Sequence, residues 1–202
     1  MNYLQPHLVL LIAWIAYCVI HSALATEKIK HFFAGKMKVA FRYYRLCYSV
    51  FAMISLVVIL YLQWTMTTIQ LFHFTLARYF LGSLLIIPGL VIMVICIWKY
   101  FYELSGIQAL EVKNPVIHLQ QSGLHKFVRH PLYLGTLLSI WGGFLFFPSL
   151  ANLIACLVIH LYVLIGIQWE ERKLIIEFGE EYRAYAKKVP ALIPSFRDGA
   201  KK

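Results

Sequence analysis

At 202 residues, with 61% hydrophobic and only 14% charged side chains, the chain carries far more apolar surface than one soluble domain can bury. Its net charge of +10 would suggest nucleic acid in a soluble protein. Here the basic residues sit between long apolar runs, which favours membrane lipids as the partner and argues against nucleic acid.

The first apolar run, Leu4–Ala25, is long enough to cross a bilayer, which takes about 20 residues. It lacks the basic leader and small-residue cleavage site of a signal peptide, so it is expected to be retained. A second run covers 46–64 and a third covers 79–98. Pro88-Gly89 lies inside the third, where a kink must be satisfied by neighbouring helices. The fourth run, 131–169, is nearly uncharged and too long for one crossing. Phe147-Pro148-Ser149 offers a turn within it, so a hairpin of two helices is expected. The expected fold is an all-α integral membrane bundle of five spans. Residues 1–98 form three N-terminal membrane helices, and 99–202 form a region built on the hairpin and closed by an amphipathic helix.

Eighteen of the nineteen basic residues fall in three segments. The first connection holds Lys28, Lys30, Lys36, Lys38, Arg42 and Arg45. The second holds Lys99, Lys113, Lys126 and Arg129. The C-terminal region holds the other eight, from Arg172 to Lys202. Five crossings place all three on one face, and the positive-inside rule makes that face cytoplasmic, with the N-terminus outside. A bacterial inner membrane is the expected location. Cys18, Cys47, Cys96 and Cys156 lie far apart in apolar segments with no CxxC, so they read as small buried apolar side chains, and no metal site is expected.

Two segments flank the hairpin and return to the same membrane level. Residues 118–135 hold His118, His125, Arg129, His130 and Tyr133, with Pro131 at a favoured helix-start position. Arg129 and His130 fall at the helix N-terminus, where an anion or electron-rich group is stabilised. An interfacial anchor of basic and aromatic residues accounts for the same composition. The second segment, 168–190, opens with Glu170 and Glu171 at the end of the fifth span. Acidic residues there are costly unless paired or solvated, and Arg129 and His130 are the expected partners. Leu174, Phe178, Tyr182 and Tyr185 then form one apolar stripe, with Gly179 as a possible break. Carboxylates, histidines and tyrosines at the mouth of an apolar bundle suit the binding of a polar, partly cationic cofactor from the cytosol, presented to a lipophilic substrate in the membrane.

The pattern H-L-x-x-x-G-x-x-x-x-V-R-H-P-x-Y-x-G over 118–135 and the pattern E-E-x-x-L-x-x-x-F-G-x-x-Y-x-x-Y-x-x-x-V-P-x-x-I-P over 170–194 carry a resemblance. The chain resembles the isoprenylcysteine carboxyl methyltransferase and phospholipid methyltransferase superfamily, including its NnrU-like bacterial branch. His21-Ser22 and Tyr44-Arg45 are similar to NnrU-like members. The resemblance implies a membrane methyltransferase using S-adenosyl-L-methionine at the cytosolic face. It implies that His118 and Leu119 border the adenine and that Gly123, His125, His130 and Tyr133 help form the pocket. Glu170 and Glu171 would contact the amino-acid or ribose end, and Pro194 would close the far wall. Arg129, His130 and Glu170 are the residues expected to carry catalysis, which consists mainly of proximity and alignment.

Two positions depart from the superfamily. His125 stands where a tyrosine is usual. Gly166 stands where the carboxyl methyltransferases carry a substrate-binding arginine. Loss of that arginine argues against a carboxylate acceptor and leaves a thiol, an amine or another neutral lipophilic nucleophile. The Ile-Gln-Trp-Glu-Glu-Arg stretch and the Val-Pro-x-x-Ile-Pro ending look like bacterial enzymes that methylate small thiols such as methanethiol. Isoprenylcysteine-type carboxyl methylation and phospholipid N-methylation remain the nearest alternatives. Membrane reductases that bind NADPH resemble the same hairpin, with Lys187 and Lys188 as candidate phosphate partners, although Glu170 and Glu171 would repel phosphate. A non-enzymatic membrane protein is the third class, with His7, His21 and His160 as candidate haem ligands.

Overall fold

The computed structural model describes residues 4–105 and 118–194. Lys113 of the charge pattern, and the tail 195–202 with Arg197, Lys201 and Lys202, lie outside the described residues. Among the described residues six α-helices follow one another: α1 (Leu4–Ala25), α2 (Glu27–Met37), α3 (Tyr44–Thr65), α4 (Leu76–Ser105), α5 (Pro131–Phe146) and α6 (Leu150–Lys188). Short 3-10 turns at Lys38–Tyr43 and Gly123–Lys126 precede α3 and α5. The described residues hold no strand beyond one isolated bridge, Gln70 to Ser149.

Four helices, α1, α3, α4 and α6, are long and apolar enough to cross a membrane. Their outer faces expose large aliphatic side chains: Val57, Leu84, Val91 and Val94 are all more than half accessible. Water does not tolerate such a surface and lipid does. The chain is an integral membrane protein. The hairpin turn falls at Phe147–Ser149, where Ser149 accepts a hydrogen bond from the Asn152 amide and starts α6. Helix α5 is apolar but has only 16 residues, short of a full crossing by length alone.

Tertiary contacts sort the connections into two ends. The Leu71 amide bonds to Pro148 O and the Leu150 amide to Ile69 O, both at 2.8 Å. His7, near the start of α1, bonds through Nε2 to Thr68 Oγ1 at 2.9 Å. The start of the chain, the 66–75 connection and the hairpin turn therefore meet at one end. The α1–α2 junction, the start of α3, the 118–130 segment and the end of α6 gather at the other.

Two apolar cores hold the bundle. Leu10, Trp14, Ile59, Ala151 and Ala155 join α1, α3 and α6. Trp14 Nε1 donates to Gln63 Oε1, and Gln63 Nε2 donates to Asn152 Oδ1, which satisfies these polar groups within the bundle. Leu137, Val163 and Ile167 join α5 to α6. Helices α4 and α5 approach almost to backbone contact. A Cβ on Gly89 would fall 2.6 Å from Ser139 Oγ, and one on Gly142 would fall 2.6 Å from Ile86 N. Small residues let membrane helices close to this distance. Pro88 is accommodated inside the continuous helix α4.

Three readings are refined. Cys18, Cys96 and Cys156 are buried as expected, but Cys47 is exposed on the surface of α3. The apolar segment from Leu150 and the start of the amphipathic segment run as one helix to Gly179, where non-helical backbone kinks α6 at the break expected there. The Gly179 φ of 54° and ψ of −124° favour glycine. The three candidate haem histidines go separate ways: His7 bonds to Thr68, His21 to Tyr48, and His160 Nδ1 accepts from Trp141 Nε1 at 3.1 Å.

Candidate active site at the hairpin mouth

Gly123, with φ of 65°, turns the chain after Ser122 and begins the 3-10 turn that leads to α5. The next residues pair with the C-terminal segment as a short clamp. The Arg129 amide donates to Pro190 O at 2.8 Å and the His130 amide to Ala191 O at 3.1 Å. Tyr185 Oη donates to His125 O at 2.6 Å, and Gln121 Nε2 donates to Glu181 Oε1 at 3.0 Å. The stripe read from the sequence explains this docking. Tyr182 and Tyr185 are buried, and Leu174 and Phe178 are half-buried on the same side.

The expected pairing of basic and acidic residues is made. Arg129 Nε donates to Glu171 Oε1 at 2.9 Å, and its Nη2 contacts the same oxygen. Its Nη1 donates to Ala186 O at 3.0 Å and also to Val189 O. Arg129 thus ties the last turn of α6 to the start of α5. His130 is 5% exposed. Its Nε2 lies 3.1 Å from Glu171 Oε1 and its Nδ1 lies 3.7 Å from Glu170 Oε2. Its ring stacks on Tyr133 at 5.6 Å between centroids. The Tyr133 hydroxyl in turn faces Glu170. Glu170 keeps 45% of its side chain accessible, so one carboxylate is fixed and the other is presented to the site.

The remaining expected residues divide. Pro194 lines an apolar slot of about 230 Å³ together with Ile92, Leu124, Val128, Pro131 and Leu134. His125 is half-buried beside Lys99, and its pKa is pushed down to about 4, first by burial and then by the charges of Lys99 and His130. Exposed His118 and half-buried Leu119 border the stretch outside the described residues. Gly166 sits one turn before Glu170, and a Cβ there would lie 3.7 Å from Tyr133 Oη. It lines a groove of about 740 Å³ between α1 and α6, among Cys18, Ser22, Tyr162 and Trp169, with no charged side chain in its lining.

Two neighbours of the site carried no separate signal in the sequence reading. Tyr182, only 1% exposed, holds its hydroxyl against Arg129 and Glu171 without a well-formed hydrogen bond. Lys99 ends an apolar run in sequence but reaches His125 in space. A buried tyrosine at the end of an apolar stripe is the one cue that pointed at the first.

The family model for phospholipid methyltransferases matches residues 77–181, just over half of the chain and most of the α4–α6 unit that builds this site. The chain belongs to the phospholipid methyltransferase family. Among curated proteins, a methanethiol S-methyltransferase of Pseudomonas deceptionensis is 38% identical over 54% of this chain and 42% of its own length. A methanethiol S-methyltransferase of Crocosphaera subtropica is 25% identical over 86% of this chain and 69% of its own. A protein-S-isoprenylcysteine O-methyltransferase of Schizosaccharomyces pombe is 27% identical over 50% of this chain and 46% of its own. The matched stretch covers under half of the first curated relatives, the Pseudomonas protein among them. No solved structure matches the chain.

Proposed function

We propose that this family member is an S-adenosyl-L-methionine-dependent methyltransferase that methylates a small, neutral thiol at the membrane interface. The observation that carries the reading is the carboxylate pair Glu170–Glu171, held by Arg129 and His130 directly beside Gly166, where an anion-binding arginine would stand in a carboxyl methyltransferase.

The residues suit the cofactor. The apolar slot of about 230 Å³ bounded by Pro194 and Val128 would take the adenine. Glu170 offers an accessible carboxylate to the amino-acid end and its positive charge. Glu171 directs one oxygen to Arg129 and His130, which leaves its second oxygen for a ribose hydroxyl. The poorly satisfied Tyr182 hydroxyl marks the same spot as built to receive another polar group. His118, Leu119, Gly123 and His125 complete the rim. The bound group supplies an electrophilic sulfonium methyl. The chain's own residues orient it, exclude water and hold the acceptor in line. In this proposal Arg129 positions Glu171 and does not itself meet the acceptor, because its guanidinium is engaged by Glu171 and two carbonyls. His130 and Glu170 face the reacting end.

The thiol preference rests on Gly166 itself, which offers nothing to pair with a carboxylate, and on the names of the relatives above. Five crossings are part of the proposal, with α5 as the short one and with the site end in the cytoplasm, as the basic connections favour. So is the division of labour between residues 1–98, which wall the acceptor path, and 99–202, which bind the cofactor.

Calorimetric titration of the purified protein in detergent tests this. S-adenosylhomocysteine is expected to bind, and NADPH and haem are not. Glu170→Ala and His130→Ala are each expected to lose that binding while keeping the helical circular-dichroism signal. Binding of NADPH or haem with no response to S-adenosylhomocysteine sinks the proposal.

A further inference from the structure

A polar cluster lies inside the bundle, centred on α1 and α3, outside both motifs and ahead of the family-model match, which of its members includes only Tyr162. His21 comes from α1, one turn from its end, and Tyr48 from the start of α3. The Tyr48 hydroxyl sits 3.0 Å from His21 Nε2 and 3.1 Å from Nδ1. In the tautomer whose N–H donates to the Tyr48 hydroxyl oxygen, the other ring nitrogen keeps its lone pair and can accept a proton. Tyr17 stacks on the ring at 5.8 Å, and Tyr162 of α6 meets it edge-on at 6.3 Å. Ser22 Oγ donates to Tyr162 Oη at 3.1 Å, which locks α1 to α6 at this level. Tyr133, the neighbour of Glu170, lies within electrostatic reach of both Tyr48 and Tyr162. Gly166 is adjacent, against the Tyr133 hydroxyl. On the other side of His21, Tyr17 and Tyr48 close one end of a cavity of about 320 Å³ between α1 and α3, otherwise lined mostly by Ala, Val, Ile and Phe.

Methyl transfer to a thiol releases a proton, and the thiolate rather than the thiol is the nucleophile. An apolar pocket at membrane depth offers no hydroxide to remove that proton. We propose that His21, oriented by Tyr48, is the general base for the acceptor thiol, and that the α1–α3 cavity holds the acceptor's apolar body. This assignment rests on the methyltransferase reading above. The acceptor S–H bond breaks and its proton goes to an imidazole nitrogen of His21. The sulfur lone pair then forms a bond to the sulfonium methyl carbon. The bond between that carbon and the sulfonium sulfur breaks, and both its electrons stay on the sulfur, which becomes a neutral thioether. The proton stays on the imidazole, which becomes an imidazolium. The groups facing His21 are Tyr17 on its own helix, Tyr48 on α3 and Tyr162 on α6. None is a fixed charge that would hold the imidazole permanently protonated.

His21→Gln, which keeps a hydrogen-bonding group for Tyr48, tests the proposal with ethanethiol as the probe. The variant is expected to bind S-adenosylhomocysteine like the native chain but to bind ethanethiol about ten-fold more weakly. Its methylation rate is expected to fall by roughly 10² to 10⁴ and to climb with pH as the thiol ionises unaided. Native ethanethiol affinity and rate in the variant overturn the proposal. So does a rate loss that raising the pH does not restore, which marks a packing role only. Should His21→Gln fail to fold, Tyr48→Phe is used instead; it is expected to weaken ethanethiol binding in the same direction, and unchanged affinity there overturns the proposal. If the native chain does not bind S-adenosylhomocysteine, the methyltransferase reading has failed, and the ethanethiol affinities still decide whether His21 borders a thiol site.

Discussion

At the scale of single residues, the site separates groups that hold from groups that are presented. Arg129 and Glu171 are tied to each other and to the C-terminal carbonyls, whereas Glu170 remains accessible. His125 belongs with the first group. Burial, then Lys99 and His130, lower its pKa from 6.5 to about 4, so it is neutral in the native fold at ordinary pH. The sign of the linkage follows. Between those two values the unfolded chain binds more protons than the folded one. Stability present above pH 6.5 is therefore lost as pH falls toward about 4. His125→Tyr replaces the group with one that stays neutral throughout this range. Thermal melts in detergent across that window are expected to show the native chain declining while the variant holds its melting temperature. Parallel declines would mean that His125 is not the buried neutral group described here. The pairing of Arg129 and His130 with the two glutamates was legible in the sequence, because charges at a membrane boundary need partners. The carbonyls that complete the Arg129 contacts were not legible, since every residue has one and only the fold selects Ala186 and Val189.

At the scale of elements, helix spacing and turn residues carried most of the information. The Phe147–Ser149 turn and the inward stripe through Tyr182 and Tyr185 follow directly from Pro-Ser chemistry and from spacings of three and four. The continuity of α6 past Trp169 was harder to read, because composition changes there while backbone hydrogen bonding does not. The seam between α4 and α5 was half legible. A Gly142-Gly143 pair in an apolar helix permits close packing, but only the structure says which glycine faces the partner. A Cβ on Gly142 would meet Ile86 N at 2.6 Å, a backbone atom that cannot move aside, whereas Gly143 has nothing within 4 Å. The same substitution one residue apart should therefore act in opposite directions. Gly142→Ala is expected to force the helices apart and cost about 1–3 kcal/mol. Gly143→Ala is expected to gain about 0.5–1 kcal/mol from lost backbone freedom in the unfolded chain. Melting temperatures in one detergent measure both, and equal shifts would refute the seam. Because α5 starts at His130, loosening it should also weaken cofactor binding.

At the scale of the whole molecule, the short helix α5 sets the depth of the site. Sixteen residues rise about 24 Å, against a hydrocarbon core of about 30 Å. In the proposed five-crossing arrangement, with its turn end at one edge of the core beside the 66–75 connection, its other end would stop about 6 Å inside the core. Arg129, His130 and the two glutamates would then sit recessed beneath the membrane surface, where polar groups must satisfy one another. Their dense mutual bonding is what that position demands, and the recess is where an acceptor dissolved in lipid could meet a cofactor arriving from water. This geometry needs α5 to count as a crossing and the site end to face the cytoplasm. Single-cysteine labelling tests both in a Cys47→Ser background, with the buried cysteines left in place. His73→Cys, in the connection at the turn end, is expected to react with a membrane-impermeant maleimide on intact cells. Lys187→Cys, at the site end of α6, is expected to react only after the membrane is opened. If the two positions label from the same side, α5 does not complete a crossing, and the recessed site has to be abandoned. If the pattern is reversed, the bundle stands but the site faces outward, away from any cytosolic supply of cofactor.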